Sequence, residues 1–116
     1  MITAKWHKYG DADNAIYFIS AYYNDIPVAV GFYNAIKGND IILGPLAVVS
    51  KYRRQGIGGL VMRMLIRRAF DCGYHETYVL TPLKEEGFFL KLGYSRIFLE
   101  GNYAYMRREG DVTGRC

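Results

Sequence analysis

The order of apolar and polar residues predicts several strands before the first helix. Residues 15–23 and 28–36 are dense in β-branched and aromatic residues, which is typical of strands with a buried face. A third apolar run covers residues 41–49, and Pro45 within it predicts a bulge or bend, because proline cannot donate a ladder hydrogen bond. Residues 2–9 suggest an edge strand. Polar, turn-forming stretches separate these runs at residues 10–14, 24–27 and 37–40.

A helical pattern follows the third apolar run. Between residues 57 and 72, apolar side chains recur every three or four positions, so they share one side of a helix. This predicted stripe consists of Ile57, Leu60, Val61, Met64, Leu65, Ala69 and Cys72. Arg63 and Arg67 lie away from the stripe, and Gly73 is suited to end the helix.

The rest of the chain predicts a strand, a second helix and a hairpin. The predicted elements are a strand at residues 76–80, a helix at 85–92 and strands at 94–99 and 103–107. Thr81-Pro82 is expected to end the first of these strands, and Gly93 the helix. The complete order predicts a mixed α/β (α+β) fold: a mostly antiparallel, twisted sheet of six to seven strands with two helices.

Composition and charge restrict the class of protein. The chain has 116 residues, 51% of them apolar, which argues against disorder and favours a single domain. We expect that domain over residues 1–108 and a polar tail over residues 109–116. The formal net charge of +4 allows nucleic acid, a membrane surface or a small polyanion as partner. Because basic residues cluster at 51–54 and 63–68, they favour a local phosphate site.

Cysteine and histidine usage indicates neither a disulfide nor a metal site. Cys72 and Cys116 lack CxxC spacing, so we expect reduced thiols and a cytoplasmic protein. His7 and His75 are isolated, so we expect no metal. The first ten residues lack the apolar core of a signal peptide, and no apolar run approaches the length of about 18 residues that a membrane span needs.

The glycine-rich stretch at residues 48–59 carries the strongest chemical signal. It joins the third apolar run to the first helix and contains Gly56, Gly58 and Gly59. Glycines at a helix start leave backbone N–H groups accessible, and these groups bind anions at the positive end of the helix dipole. A tight turn with close packing explains the glycines equally well. The neighbours that favour a phosphate or pyrophosphate site are Arg53, Arg54 and Gln55.

This stretch resembles the signature of the GNAT superfamily of acyl-CoA-dependent N-acetyltransferases, V-x-x-x-x-[RQ]-x-x-G-x-[GA]. The matching residues are Val48, Arg53, Gly56 and Gly58, within LAVVSKYRRQGIGG. A second stretch, EGFFLKLGY at residues 86–94, is similar to a helix of the family that ends in Lys-x-Gly-Phe. With the intervening strand, the two cover residues 41–108 in the family's order. The resemblance implies a GNAT-like acyl-CoA acyltransferase fold.

The resemblance also implies a function and a set of cofactor-binding residues. Acetyl-CoA would donate its acetyl group directly to a primary amine of a small molecule or peptide. Backbone amides of residues 53–59 would bind the pyrophosphate, and Val48 would pair with the pantetheine arm like an added strand. The thioester would enter between the third apolar run and residues 76–80, where an N–H near Val48 would polarise its carbonyl. The implied cofactor-binding residues are Leu46, Val48, Arg53, Arg54, Gln55, Gly56, Ile57, Gly58, Gly59 and Phe89.

Two positions depart from the family pattern and leave the catalytic residues unassigned. Phe89 stands where many members have a tyrosine that protonates the leaving thiolate, and Gly44-Pro45 stands where a carboxylate often acts as base. Glu85, Glu86, Tyr94 and tyrosines of the first strands are conceivable substitutes, although such residues are more often structural. Three alternatives follow: catalysis uses other groups, positioning alone supplies most of the rate, or the chain is a non-catalytic acyl-CoA-binding or regulatory domain. A nucleic-acid-binding module is disfavoured, because no module signature is present.

The N-terminal segment is also shorter than the family pattern. The family places two helices between its first two strands, and residues 1–14 are too few for a strand and two helices. One face of the sheet is therefore expected to be exposed or covered by another chain. Because a large bare apolar face is uncommon on monomers, we expect a homodimer.

Overall fold

The computed structural model describes residues 1–10, 16–35 and 41–110. Within them the chain forms seven strands and two α-helices, so the predicted mixed fold class is confirmed. The elements are β1 (Ile2–Tyr9), β2 (Ile16–Tyr23), β3 (Ile26–Ala35), β4 (Ile41–Val48), α1 (Ile57–Asp71), β5 (Glu76–Pro82), α2 (Glu86–Lys91), β6 (Ser95–Glu100) and β7 (Tyr103–Glu109).

All seven strands form one sheet in the order β1-β2-β3-β4-β5-β7-β6, and β1 is an edge strand as predicted. Neighbouring strands are antiparallel except for β4 and β5, which are parallel. A single residue pair, Ile42 with Tyr78, is in register between β4 and β5. Because this pair lies near the start of both strands, β4 and β5 separate toward their carboxyl ends, in the middle of the sheet.

The predicted bulge in the third apolar run is confirmed. On β4, Leu43 pairs with Tyr33 and Leu46 pairs with Gly31, so Gly44-Pro45 opposes a single residue of β3. Two residues against one define a β-bulge, which bends the strand and increases its twist. The side-chain amide of Asn34 on β3 donates a hydrogen bond of 2.5 Å to the Gly44 carbonyl and fastens the bulge.

The connection between β2 and β3 is shorter than predicted. β3 begins at Ile26, whereas the apolar run predicted a start at residue 28. Asn24 and Asp25 have φ angles of 49° and 71°, the left-handed region that a tight two-residue hairpin turn requires. The ladder therefore resumes at once, with Ile26 opposite Tyr23. The predicted hairpin loop at residues 37–40, and all but the first residue of the loop at residues 10–14, lie outside the described residues.

Helix α1 buries a stripe that is rotated from the predicted one. The buried residues are Ile57, Val61, Met62, Leu65, Ile66 and Ala69, whereas Leu60 and Cys72 are exposed and Met64 is half-buried. The reason is a close approach to β3. A Cβ atom on Gly31 would lie 2.7 Å from Val61 Cγ1 and 2.9 Å from Leu65 Cδ1, so Val61 and Leu65 form the centre of the contact. Gly73, with a φ of 97°, follows the helix as predicted.

Helix α2 packs on the same face of the sheet as α1. Phe89 and Tyr94 belong to the same buried cluster as the α1 stripe, and Arg108 of β7 donates a 2.7 Å hydrogen bond to the Leu92 carbonyl. Side chains alternate along each strand, so the residues between the buried ones point to the other side. We call the two sides the helix-bearing face and the helix-free face, because neither described helix covers the latter.

The predicted boundaries after α1 need four corrections. β5 continues through Thr81-Pro82, which pairs with β7 instead of ending the strand. A short 3-10 turn, Leu83–Glu85, then precedes α2, so this helix is shorter than the one predicted at residues 85–92. Tyr94 turns into the core, so β6 begins one residue later than predicted. β7 runs through Arg108 to Glu109, because it pairs along the whole of β5; residues 111–116, including Cys116, lie outside the described residues.

The close approach at Gly31 predicts a specific loss of stability. We expect Gly31→Ala to lower the free energy of unfolding by about 1–3 kcal/mol, since the added methyl overpacks the α1–β3 contact. The matched control is Gly87→Ala on α2, where an added Cβ meets nothing within 4 Å. Alanine favours a helix over glycine by about 1 kcal/mol, so this control should be neutral or stabilising. Urea unfolding measures both, and an unchanged midpoint for Gly31→Ala would contradict the packing.

Candidate acyl-CoA site

The turn between β4 and α1 presents unpaired backbone donors. The chain leaves β4, makes a 3-10 turn at Ser50–Tyr52 and enters α1 through Gly56, whose φ of 79° is left-handed. The first helical hydrogen bond joins the Leu60 N–H to the Gly56 carbonyl at 3.0 Å. The N–H groups of residues 57–59 therefore lack a helical acceptor, and no side chain of a described residue caps this end. The start of α1 is thus a donor-rich, positive end.

The three glycines of this turn have different roles. Gly56 supplies the left-handed backbone, and a Cβ there would meet nothing within 4 Å. At Gly58, a Cβ would lie 3.4 Å from Phe88 Cζ and 3.6 Å from Leu46 Cδ2. At Gly59, it would lie 3.2 Å from a guanidinium nitrogen of Arg63. The contacts at Gly58 are of ordinary van der Waals length, so packing does not by itself require glycine there. The open space at Gly56 leaves room for a ligand.

Phe88 is a neighbour of the turn that the sequence pattern did not reveal. Its ring lies beside Gly58 at the start of α1, as does the Leu46 side chain of β4. The adjacent Phe89 is 8% exposed and packs in the core. The Phe89 ring makes edge-to-face contacts with Phe88 and Tyr94, at centroid distances of 4.9 and 5.8 Å. The structure thus places Phe88 beside the predicted cofactor-binding residues and Phe89 behind it.

The basic residues of the predicted phosphate site fall into two groups. Arg53, Arg54 and Gln55 are exposed on the turn, and Arg53 Nε donates a 3.2 Å hydrogen bond to the Val48 carbonyl. The other group lines a separate cleft of about 270 Å³ against β1. There the Arg68 guanidinium lies 4.8 Å from the Trp6 ring centroid, and Arg67 forms an ion pair with Asp71. Arg53 and Arg54 therefore remain the basic residues of the predicted phosphate site, whereas Arg67 and Arg68 lie further along α1, beside β1.

The opening between β4 and β5 exposes backbone groups of Leu46 and Val48. The Val49 N–H donates to the Val28 carbonyl at 2.8 Å, which fixes the phase of the β3–β4 ladder. Inward and outward backbone groups alternate along an antiparallel strand, so Leu46 and Val48 direct their N–H and C=O groups away from β3. Their pairing partner on that side would be β5, which has already diverged. The Val48 carbonyl already accepts the Arg53 hydrogen bond, so an extended ligand can pair as an added strand with the remaining outward groups.

Most of the residues considered as proton donors or acceptors are engaged elsewhere. Tyr94 is 2% exposed, its hydroxyl lies 2.7 Å from Thr77 Oγ1, and burial raises the pKa of Tyr94 to about 12. Glu86 accepts two hydrogen bonds from Arg96, at 2.6 and 2.7 Å, which hold the pKa of Glu86 below its usual range. Burial also raises the pKa of Tyr33, a core tyrosine of β3. Glu85 is exposed on the turn before α2.

Two further classes of site are not found in the part of the chain that the structure describes. No group of three or more His, Cys, Asp or Glu side chains is arranged to hold a metal ion there. No described helix is both long enough and apolar enough to cross a membrane.

Three solved structures share this fold at low sequence identity. A GNAT family acetyltransferase from Elizabethkingia anophelis with acetyl-CoA bound aligns over 93% of this chain and 97% of its own, at 16% identity and a TM-score of 0.77. PaiA N-acetyltransferase from Thermoplasma acidophilum, in complex with coenzyme A, aligns over 79% of this chain at 17% identity and a TM-score of 0.73, and the alignment spans 59% of its length. Escherichia coli ElaA aligns over 85% and 74% of the two chains, at 17% identity and a TM-score of 0.71.

Sequence comparison identifies the family directly. No match was found among curated proteins. Residues 2–94 match the Acetyltransferase (GNAT) family, a span that includes the turn at the start of α1 and the whole of α2. The chain therefore belongs to the GNAT acetyltransferase family.

Proposed function

We propose that the protein transfers an acetyl group from acetyl-CoA directly to a primary amine of a small molecule or peptide. The observation that carries this proposal is the opening between β4 and β5, which lies beside the uncapped start of α1. Two similar structures contain coenzyme A or acetyl-CoA. An extended, anionic thioester fits both features, because its arm needs backbone partners and its pyrophosphate needs donors.

The cofactor-binding residues follow from these two features. The N–H groups of residues 57–59, exposed by the left-handed Gly56, would donate to the pyrophosphate. Arg53 and Arg54 would add fixed positive charge on the same turn. Leu46 and Val48 would pair with the pantetheine arm, and the Phe88 ring would pack beside it. Phe89 would act through Phe88, since its own ring is buried behind it.

The chemistry proposed for this site depends mainly on positioning. The unprotonated amine nitrogen attacks the thioester carbonyl carbon, the C–S bond breaks, the sulfur leaves as a thiolate and the amine proton passes to water. An outward backbone N–H of β4, such as that of Val48, would polarise the carbonyl. Gly44-Pro45 and Phe89 offer no titratable side chain at the positions considered for base and acid. Holding the amine and thioester in contact can supply about 7–11 kcal/mol of the barrier reduction.

A non-catalytic acyl-CoA-binding or regulatory domain is the second candidate function. It is favoured by the same residues, Phe89 and Gly44-Pro45, because a domain that only binds needs no acid or base. The two candidates differ in one observable: release of free coenzyme A thiol from acetyl-CoA when an amine is added.

We also propose that the protein is a cytoplasmic homodimer. The exposed, unpaired Cys72 thiol is typical of a reducing compartment. On the helix-free face, His7 stacks on Phe18 at 4.7 Å, and the buried His7 Nε2 has no hydrogen-bond partner among the described residues. A second copy over β1–β3 would cover these rings, because they lie on the side of the sheet that no described helix covers. Sedimentation at micromolar concentration should show a dimer, and a monomer would contradict this part of the proposal.

The pyrophosphate site predicts a selective loss of cofactor binding. Gly56→Glu places a negative charge where the pyrophosphate would lie. At about 5 Å and an effective dielectric constant near 20, this repulsion costs about 3 kcal/mol, so we expect about 100-fold weaker coenzyme A binding by calorimetry. The matched control is Gly73→Glu, because Gly73 is also left-handed, with a φ of 97° and open space, but lies at the other end of α1.

The same two variants test transfer when thiol release is followed across a panel of primary amines. We expect release with the wild type and Gly73→Glu, and little with Gly56→Glu at moderate acetyl-CoA concentration. Equal coenzyme A binding by both variants would show that the pyrophosphate binds elsewhere. Wild-type binding without amine-dependent thiol release would favour the non-catalytic domain.

A further inference from the structure

The C-terminal half of the helix-free face carries a continuous set of aromatic and aliphatic side chains. We call this set the aromatic floor; its members are Tyr78, Leu80, Phe98, Tyr103 and Tyr105. The rings of Tyr78 and Tyr105 stack at 5.5 Å with an angle of 8°, and those of Phe98 and Tyr105 lie 5.2 Å apart. Strand pairing joins Leu80 to Tyr105, so the floor runs unbroken from β5 to the sheet edge at β6.

The aromatic floor is open to solvent. Leu80 is 57% exposed, and Phe98 and Tyr103 are each 50% exposed. Residues between them in sequence, such as Val79 and Ala104, are fully buried on the helix-bearing face. Contiguous exposed apolar side chains of this kind are typical of surfaces that bind a ligand or another macromolecule.

The floor begins at the opening between β4 and β5. Tyr78 pairs with Ile42 at the last point where the two strands are in register. Leu80 lies two residues further along β5, on the same face, and therefore borders the opening. The proposed coenzyme A site lies at the start of α1, on the helix-bearing face. The floor is thus the surface from which a second reactant reaches a thioester held in the opening.

An ion cluster lies beside the floor at the end away from the opening, where β5 begins and β7 ends. Arg107 Nη2 donates to both Glu76 and Glu109, so this cluster contains one positive and two negative groups. The Tyr78 hydroxyl donates to the second oxygen of Glu76 at 2.9 Å. The Arg107 and Tyr78 hydrogen bonds hold the pKa of Glu76 below its usual range, so the carboxylate is charged at neutral pH. These charges pair with one another away from the opening, whereas Leu80, Tyr105 and Phe98 carry no charge and suit an apolar body.

We propose that the aromatic floor binds the acceptor, and that the acceptor is an amine with an aromatic or extended apolar body. That the acceptor is an amine depends on the proposed acyl transfer. The body lies on Leu80, Tyr105 and Phe98, and the amino group reaches the opening beside Leu80. This assigns substrate selection to β5, β6 and β7, outside the residues that contact coenzyme A.

The test is calorimetric binding of 2-phenylethylamine and ethylamine to the protein saturated with coenzyme A. We expect 2-phenylethylamine to bind at least about tenfold more tightly, from ring burial and aromatic contact. The double variant Leu80→Ala/Phe98→Ala should remove most of that difference. Leu90→Ala is the matched control, because Leu90 is 52% exposed on α2, away from the floor, and should leave the difference unchanged.

Three outcomes would overturn the proposal. The first two are equal affinity for the two amines, and an affinity difference between them that the double variant leaves unchanged. The third is sedimentation showing that Phe98→Ala converts a dimer to a monomer while amine binding is unaltered. The last would assign the floor to a second copy of the chain. Tight binding of 2-phenylethylamine without thiol release from acetyl-CoA would overturn the proposed transfer and leave the floor as a binding site. Thiol release that the floor variants leave unchanged would overturn the floor as the acceptor site and leave the proposed transfer in place.

Discussion

The separation of β4 from β5 is the constraint on which the rest of the structure depends. Backbone N–H and C=O groups in the middle of a sheet normally pair with the next strand, and leaving them unpaired is costly unless water or a ligand satisfies them. The bulge at Gly44-Pro45 bends β4 where this pairing ends, so Leu46 and Val48 turn their polar groups toward an opening instead of a neighbouring strand. Of these groups, the Val48 carbonyl accepts the Arg53 side chain. In the proposed complex, the pantetheine arm of coenzyme A would be the partner of these groups.

The position of α1 follows from the same strand. α1 begins just beyond the end of β4, and its buried stripe is centred on Val61 and Leu65 because Gly31 of β3 lets the helix approach closely. This packing fixes the uncapped start of α1 next to the carboxyl end of the opening. The left-handed Gly56 then exposes the first N–H groups of the helix. Two sites that are weak alone, a helix end and an unpaired strand, thus lie side by side and fit one extended, anionic molecule.

Much of this arrangement was readable in the sequence because it depends on local patterns. Strand periodicity gave the sheet, Pro45 indicated the bulge, and the glycines beside Arg53 indicated an anion site. Features that depend on packing were not readable. The buried stripe of α1 differs from the predicted one because of the contact at Gly31. Phe88 lies beside Gly58 only in the folded chain, and Arg68 packs on Trp6 instead of lying near the start of α1. The aromatic floor could not be predicted for the same reason. Its residues come from three strands, and the pattern of a single strand does not show that they share a face.

We propose that coenzyme A lies along the opening, with its pyrophosphate at the start of α1. Amide chemical shifts of isotope-labelled protein, followed during a coenzyme A titration, test this most directly. We expect the largest changes at Leu46, Val48, Gly56 and Gly58, with little change at the sheet-edge residue Lys5. Changes confined to the Trp6 cleft, with Leu46 and Val48 unaffected, would contradict it.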